Sequence, residues 1–151
     1  MSDREFTIVR EFDAPRELVF RAWTDPEQMA KWAGPRGFTT PVSSIVLGTE
    51  PGDPQRMTMI NDADGTEYVS AGHFVEMVEP ERLVFTWGDP TLDSDEDHES
   101  LITVTFVELD GKTTMTFHLL APGPLSFEDG AREGWSQSLD RLVSILTTSP
   151  R

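Results

Sequence analysis

The chain has 151 residues, no cysteine and a formal net charge of −15 at pH 7. This length predicts one domain, residues 1–151, that buries enough apolar surface to fold without disulfides or a structural metal. The absence of cysteine excludes thiolate metal sites and cysteine nucleophiles, and the negative charge argues against nucleic acid and membrane partners.

The sequence predicts neither export nor insertion into a membrane. Its longest apolar runs are triplets such as Ile45-Val46-Leu47, whereas a membrane helix needs roughly 20 apolar residues. Residues 1–7 are charged and lack the apolar region of a secretory signal. We therefore expect a cytoplasmic protein.

The N-terminal part predicts one strand followed by two short helices. Apolar residues alternate over residues 6–12, which is typical of a strand. Asp13-Ala14-Pro15 then predicts a helix start, because proline is tolerated in the first turn, and apolar residues follow at helical spacing over residues 18–23. Asp25 predicts a second N-cap, with Gln28 at the capping-box position.

From residue 42 onward the apolar period changes to two. Strands are predicted at residues 42–47, 56–60, 67–78, 83–87, 101–108 and 113–119. The connections are short and contain turn residues, and Asp110-Gly111 between two alternating runs is a strong hairpin signal. Short connections favour antiparallel neighbours, so we expect a meander.

The C-terminal part predicts one long amphipathic helix. Apolar residues from Trp135 to Leu146 recur at helical spacing, after a capping-box pattern of Ser126 and Asp129. The predicted fold class is α+β, with a curved antiparallel sheet of about six or seven strands around this helix and two short helices after the first strand. Because a helix is only about 10–12 Å across, we expect a cavity between it and the wider sheet.

The most acidic segment is residues 89–99, with six carboxylates. Such a run predicts a solvated loop. Asp93, Asp95 and Asp97 repeat like the first three ligands of an EF-hand, but His98 replaces the required glycine and Val104 the required glutamate. An EF-hand is therefore excluded, and incidental binding of a divalent ion is the remaining alternative.

Three motifs carry a resemblance that covers residues 6–148. They are FDAP at residues 12–15, GHFVEMVEPERLVFTW at residues 72–87 and GWSQSLDRL at residues 134–142. In this order they resemble the START-like SRPBCC superfamily, most closely the branch named after the activator of heat-shock protein 90 ATPase. The resemblance implies the helix-grip, Bet v 1-like fold and a cavity that binds apolar or amphipathic small molecules. It departs at residues 49–54, where many relatives carry a Gly-Gly turn, and this leaves the register of strands two and three open.

Apolar side chains that share strand faces, and one side of the last helix, are the candidate cavity. Their spacing fits a filled core as well as a pocket, and the resemblance favours the pocket. The predicted cavity residues are Trp23, Met57, Met59, Tyr68, Phe74, Phe85, Trp87, Phe106, Met115, Phe117, Trp135 and Leu139.

No catalytic constellation, cofactor site or metal site is predicted. The sequence contains no nucleophile elbow, P-loop or dinucleotide fingerprint. The histidines His73, His98 and His118 lack the spacing of metal ligands. Glu76 is the one candidate acid–base residue, because its strand position shares the parity of Phe74 and would place it in an apolar cavity if that face is concave.

The preferred interpretation is a cofactor-free protein that binds a small hydrophobic or aromatic molecule, such as a lipid or polyketide, between the sheet and the C-terminal helix. The resemblance leaves two alternatives. One is a co-chaperone-like interaction module with a chaperone partner, of the kind that activates the heat-shock protein 90 ATPase. The other is a cyclase or hydrolase-type enzyme in which Glu76 moves protons inside the same cavity.

Overall fold

The computed structural model describes residues 5–34, 37–87, 100–120 and 128–147, with side chains in the last segment from 133 to 146. Its elements are β1 (Glu5–Phe12), α1 (Arg16–Thr24), α2 (Pro26–Met29), β2 (Phe38–Thr39), a 3-10 turn (Val42–Ser44), β3 (Val46–Leu47), β4 (Pro54–Asn61), β5 (Glu67–Val78), β6 (Arg82–Trp87), β7 (Ser100–Leu109), β8 (Lys112–Leu120) and α3 (Glu128–Thr147). The segment 89–99 and Ser126 lie outside the described residues, so the predictions for them remain predictions.

All described strands belong to one antiparallel sheet in the order β1-β8-β7-β6-β5-β4-β2, and β3 pairs with β4. Strands β4 to β8 form the predicted meander. Strand β1 does not lie beside the strand that follows it in the chain but pairs with the last strand, β8, from Glu5–Leu120 to Phe12–Thr113. The predicted α+β helix-grip architecture is thus confirmed, with two short helices after the first strand and a long C-terminal helix.

Two local signals in the sequence are confirmed in detail. Asp110 and Gly111 both have positive φ, 58° and 80°, as a two-residue turn between β7 and β8 requires. The turn sets the pairing of Leu109 with Lys112 and with it the register of the whole hairpin. At the start of α2, the Oδ1 atom of Asp25 accepts a hydrogen bond from the Glu27 N–H at 3.0 Å.

The predicted strand at residues 42–47 is wrong in its first half. Residues 42–44 form the 3-10 turn, and only Val46 and Leu47 pair with β4. The Ser44 hydroxyl donates to the Pro41 carbonyl at 2.7 Å and accepts from the Thr58 N–H at 3.2 Å. Because these bonds take groups that a strand would pair with its neighbour, they favour the turn over the ladder.

The helices cover the two halves of the sheet unequally. Phe20 and Trp23 of α1 pack on Phe106 of β7 and Phe117 of β8, with ring centroids 5.5 and 6.2 Å apart. Arg10 of β1 ties α3 to this side by hydrogen bonds to Asp140 and Ser136, both 3.0 Å long. Side chains of the helices therefore fill the space over β1, β8 and β7, and unfilled space remains over β4–β6.

Candidate functional site

A cavity of about 180 Å³ lies over strands β4–β6, between α3 and residues 23–34. Both the helices and the strands of the sheet contribute residues to the cavity wall. The lining residues are Trp23, Met29, Trp32, Ala33, Gly34, Leu47, Gln55, Met57, Met59, Ser70, Phe74, Phe85, Trp87, Gly134, Trp135 and Ser138.

All four tryptophans of the chain line this cavity. The Trp23 ring is central to the cluster, because it meets Trp32 edge-on with centroids 4.7 Å apart and lies nearly parallel to Trp135 at 6.3 Å. Trp135 in turn meets Trp87 edge-on at 5.6 Å. Rings held by such mutual contacts form a rigid aromatic wall, which is typical of pockets for apolar molecules.

Seven of the predicted cavity residues lie on the cavity wall, and five do not. Those on the wall are Trp23, Met57, Met59, Phe74, Phe85, Trp87 and Trp135. Four of the others, Phe106, Met115, Phe117 and Leu139, are fully buried in the core. Side chains of α1 and α3 pack on Phe106 and Phe117, and Leu139 is itself one of the α3 residues in this core.

Tyr68 is the fifth predicted residue that does not line the cavity. It pairs with Met59 across the β4–β5 ladder and so shares its face of the sheet. However, 48% of Tyr68 is exposed, and its ring contacts Phe38 of β2 at 5.7 Å. Tyr68 therefore lies beyond the cavity, toward the edge of the sheet formed by β2.

The structure corrects the placement of Glu76. A β-bulge after Phe74 shifts the register, so that Phe74 pairs with Phe85 while Glu76 pairs with Val84 on the opposite face. One extra residue reverses the parity of everything that follows it in a strand. The Glu76 side chain is 45% exposed and accepts a hydrogen bond from Arg82 at 3.1 Å. It is a surface carboxylate and cannot act inside the cavity.

The sequence prediction missed nine lining residues, three of them polar. They are Met29, Trp32, Ala33, Gly34, Leu47, Gln55, Ser70, Gly134 and Ser138. A signal was available for two of the polar residues, since Gln55 shares strand parity with Met57, and Ser70 shares parity with Phe74. Gly134 of α3 also borders the cavity.

Polar groups on α3 fix the helix to the backbone that follows α2. The Ser138 hydroxyl donates to the Trp32 carbonyl at 2.9 Å and accepts from the Gly34 N–H at 3.1 Å. One turn further, the Arg141 guanidinium donates to the Gly34 carbonyl at 2.8 Å. These bonds satisfy backbone groups at the cavity rim and hold the wall in place.

Two buried polar atoms of the cavity wall have no hydrogen-bond partner, the indole Nε1 of Trp23 and the hydroxyl Oγ of Ser70. The residues are 2% and 5% exposed, so bulk water does not satisfy these atoms. An unpaired buried polar group costs about 1–3 kcal/mol. Native folds keep few such groups, and both that the structure records among the described residues belong to residues of the cavity wall, although neither atom reaches the cavity surface.

We expect Ser70→Ala to raise the free energy of unfolding by about 1 kcal/mol, because it removes an unpaired hydroxyl without removing a hydrogen bond. Ser138→Ala is the matched variant. It leaves the Trp32 carbonyl and the Gly34 N–H unpaired and should lower the same quantity by about 2 kcal/mol. Urea unfolding of both variants measures the difference, and equal losses would show that Ser70 has a partner in solution.

No lining residue is charged, although 26% of the chain is. Among the residues that the structure describes, no group of three histidine or acidic residues could hold a metal ion. Within the same residues, no helix is both long and apolar enough to cross a bilayer. The electrostatic character of the cavity is thus set by aromatic faces and a few neutral polar groups.

A curved antiparallel sheet, a long C-terminal helix and an apolar cavity between them define the class of START-like, helix-grip proteins. The sequence matches the family described as Activator of Hsp90 ATPase homolog 1-like protein over residues 13–147. The chain belongs to this family, and the resemblance drawn from its three motifs is confirmed. No curated protein matched the sequence.

Solved structures share the whole fold. Protein CV1439 from Chromobacterium violaceum is similar with a TM-score of 0.84 and 25% identity over 98% of this chain and 99% of that one. The AHSA1 (SPO3351) protein from Silicibacter pomeroyi is similar with a TM-score of 0.81 and 25% identity over 97% and 99%. DynU16, a putative protein in the dynemicin biosynthetic locus, has a TM-score of 0.72 and 22% identity over 95% of this chain and 47% of that one. The last likeness shows the fold alone.

Proposed function

We propose that the protein binds a small hydrophobic or aromatic molecule in the cavity over β4–β6. The observation that carries this proposal is the cavity wall itself, in which aromatic and methionine side chains from six elements surround a space of about 180 Å³ without a charged group. Over β7 and β8 the protein fills the corresponding space with buried aromatic side chains. The space over β4–β6 is therefore not explained by a shortage of large apolar residues.

The energetics favour occupation of the cavity. The cavity is partly open to solvent, and the atoms of its wall lack packing partners on the cavity side. A ligand recovers part of this packing and also buries its own apolar surface, at about 25 cal/mol for each Å². Affinity therefore follows from shape and apolar area, with the polar atoms of the wall selecting among ligands of similar size.

We expect titration with neutral one-ring and two-ring aromatic compounds to change the intrinsic tryptophan fluorescence saturably, because every tryptophan of the chain borders the cavity. Amide NMR shifts locate the binding. They should concentrate at Phe74, Trp87 and Trp135, and they should be small at Val9 and Val107 on exposed surface. Shifts confined to the exposed positions would contradict the proposal.

No observation on the described residues favours the two alternatives that the resemblance left. The enzyme alternative assigned proton transfer to Glu76, and that carboxylate lies outside the cavity in an ion pair with Arg82. The co-chaperone alternative rests on the family name, and it stays a prediction.

A further inference from the structure

We propose that Gly134 of α3 sets the upper size of the ligand, because the space that a side chain would take at this position belongs to the cavity. The inference rests on the proposed function and narrows its ligand class to molecules of one or two small rings. Three observations carry it: Gly134 lines the cavity, it lies inside a helix, and the residues that follow it on the same helix face are larger.

The backbone of α3 does not require a glycine at position 134. The helix runs from Glu128 to Thr147, so Gly134 lies in its interior. Helical φ and ψ angles are open to every ordinary residue, and glycine is less favourable there than alanine because it loses more conformational freedom on folding. The reason for a glycine must therefore lie in the space beside the helix, and that space is the cavity.

Residue size changes along the face of α3 on which Gly134 lies. Residues four apart share a helix face, so Gly134, Ser138 and Leu142 form one row. Gly134 and Ser138 line the cavity, whereas Leu142 is fully buried in the core. The Ser138 hydroxyl is already bound to the backbone after α2, at 2.9 and 3.1 Å. Within this row, Gly134 is thus the position where a larger side chain would take space from a ligand.

The volume indicates which ligands depend on the missing side chain. An apolar protein cavity of about 150 Å³ is large enough to bind benzene. The present cavity, of about 180 Å³, exceeds this by little more than the space of one water molecule, about 30 Å³. A methyl group is of similar size. Alanine at position 134 would therefore leave room for a single ring and remove the room for a second fused ring.

The test compares Gly134→Ala with the original full chain, using toluene as the one-ring probe and 1-indanone as the two-ring probe. Calorimetry and tryptophan fluorescence give the dissociation constants, and thermal unfolding gives the Tm without ligand. We expect the Tm to rise by about 2–4 °C, because alanine is the better helix residue. The affinity for 1-indanone should fall about tenfold, and toluene should bind at least as tightly as before.

Two further variants separate occupied space from other effects. Gly134→Leu should abolish binding of both probes, because an isobutyl group takes most of the cavity. Ser144→Ala is the control, since Ser144 also lies on α3 but is exposed and does not line the cavity. This variant also adds an alanine to the helix, and the affinity for both probes should stay unchanged.

The outcomes separate this inference from the proposed function. Unchanged affinity of Gly134→Ala for 1-indanone, an equal loss for both probes, weaker binding together with a lower Tm, or a loss of affinity in Ser144→Ala would each overturn the inference. Binding of 1-indanone by Gly134→Leu would do the same. All of these results leave the proposed function intact. If neither probe binds the original protein, the proposed function itself fails.

Discussion

Trp135→Ala is expected to lower the free energy of unfolding by about 3 kcal/mol and to move ligand preference toward larger molecules. The Trp135 ring contacts Trp23, Trp87 and Phe117, with centroids 6.3, 5.6 and 4.6 Å away, so its loss removes a large apolar contact surface. The vacated space joins the cavity. Urea unfolding measures the stability, and fluorenone, with three fused rings, should bind the variant more tightly than it binds the original protein.

Phe106→Ala is the matched control. Phe106 was predicted as a cavity residue, but it is 1% exposed and packs on Phe20 in the filled half of the sheet. Its truncation should cost about 4 kcal/mol of stability, a loss comparable with that of Trp135→Ala. The preference between 1-indanone and fluorenone should not change. A gain in fluorenone affinity in both variants would show that loosened packing, rather than a wider cavity, admits the larger ligand.

Gly72→Ala is expected to lower the free energy of unfolding by about 3 kcal/mol. A Cβ atom on Gly72 would lie 2.0 Å from the Thr86 carbonyl oxygen, and this backbone atom can move only if β5 and β6 separate. The same carbonyl accepts the hydrogen bond of Gln55, so the disturbance reaches the cavity wall. We therefore expect weaker ligand binding as well as a lower midpoint of urea unfolding.

Gly65→Ala distinguishes this steric effect from the general cost of replacing glycine. Gly65 has a φ of +78°, and a Cβ there would meet no atom within 4 Å. Its replacement should cost only about 1–2 kcal/mol, the conformational penalty of a left-handed residue, with unchanged ligand affinity. A loss at Gly72 no larger than that at Gly65 would contradict the clash.

Prediction of the site from sequence worked where side chains follow a strict period. Met57 and Met59, or Phe85 and Trp87, share a strand face whatever the neighbouring elements do, and all four line the cavity. Prediction failed for Glu76, because the bulge after Phe74 reverses strand parity and no residue type in that stretch indicates a bulge. It failed for residues 42–44 because local hydrogen bonds of Ser44 replace the ladder.

The sequence by itself determined the order of the elements apart from β2 and the 3-10 turn, the antiparallel meander, the turn at Asp110-Gly111 and the family, since each depends on short-range periodicity, turn chemistry or contiguous motifs. Only the tertiary structure decided which half of the concave face is filled. That depends on where α3 is tied, through Arg10 to β1 and through Ser138 and Arg141 to the backbone after α2. These contacts join residues more than a hundred positions apart, and a periodic pattern carries no information on such distances. For the same reason, only the fold brings the residues Trp23 and Ser70 into one cavity wall.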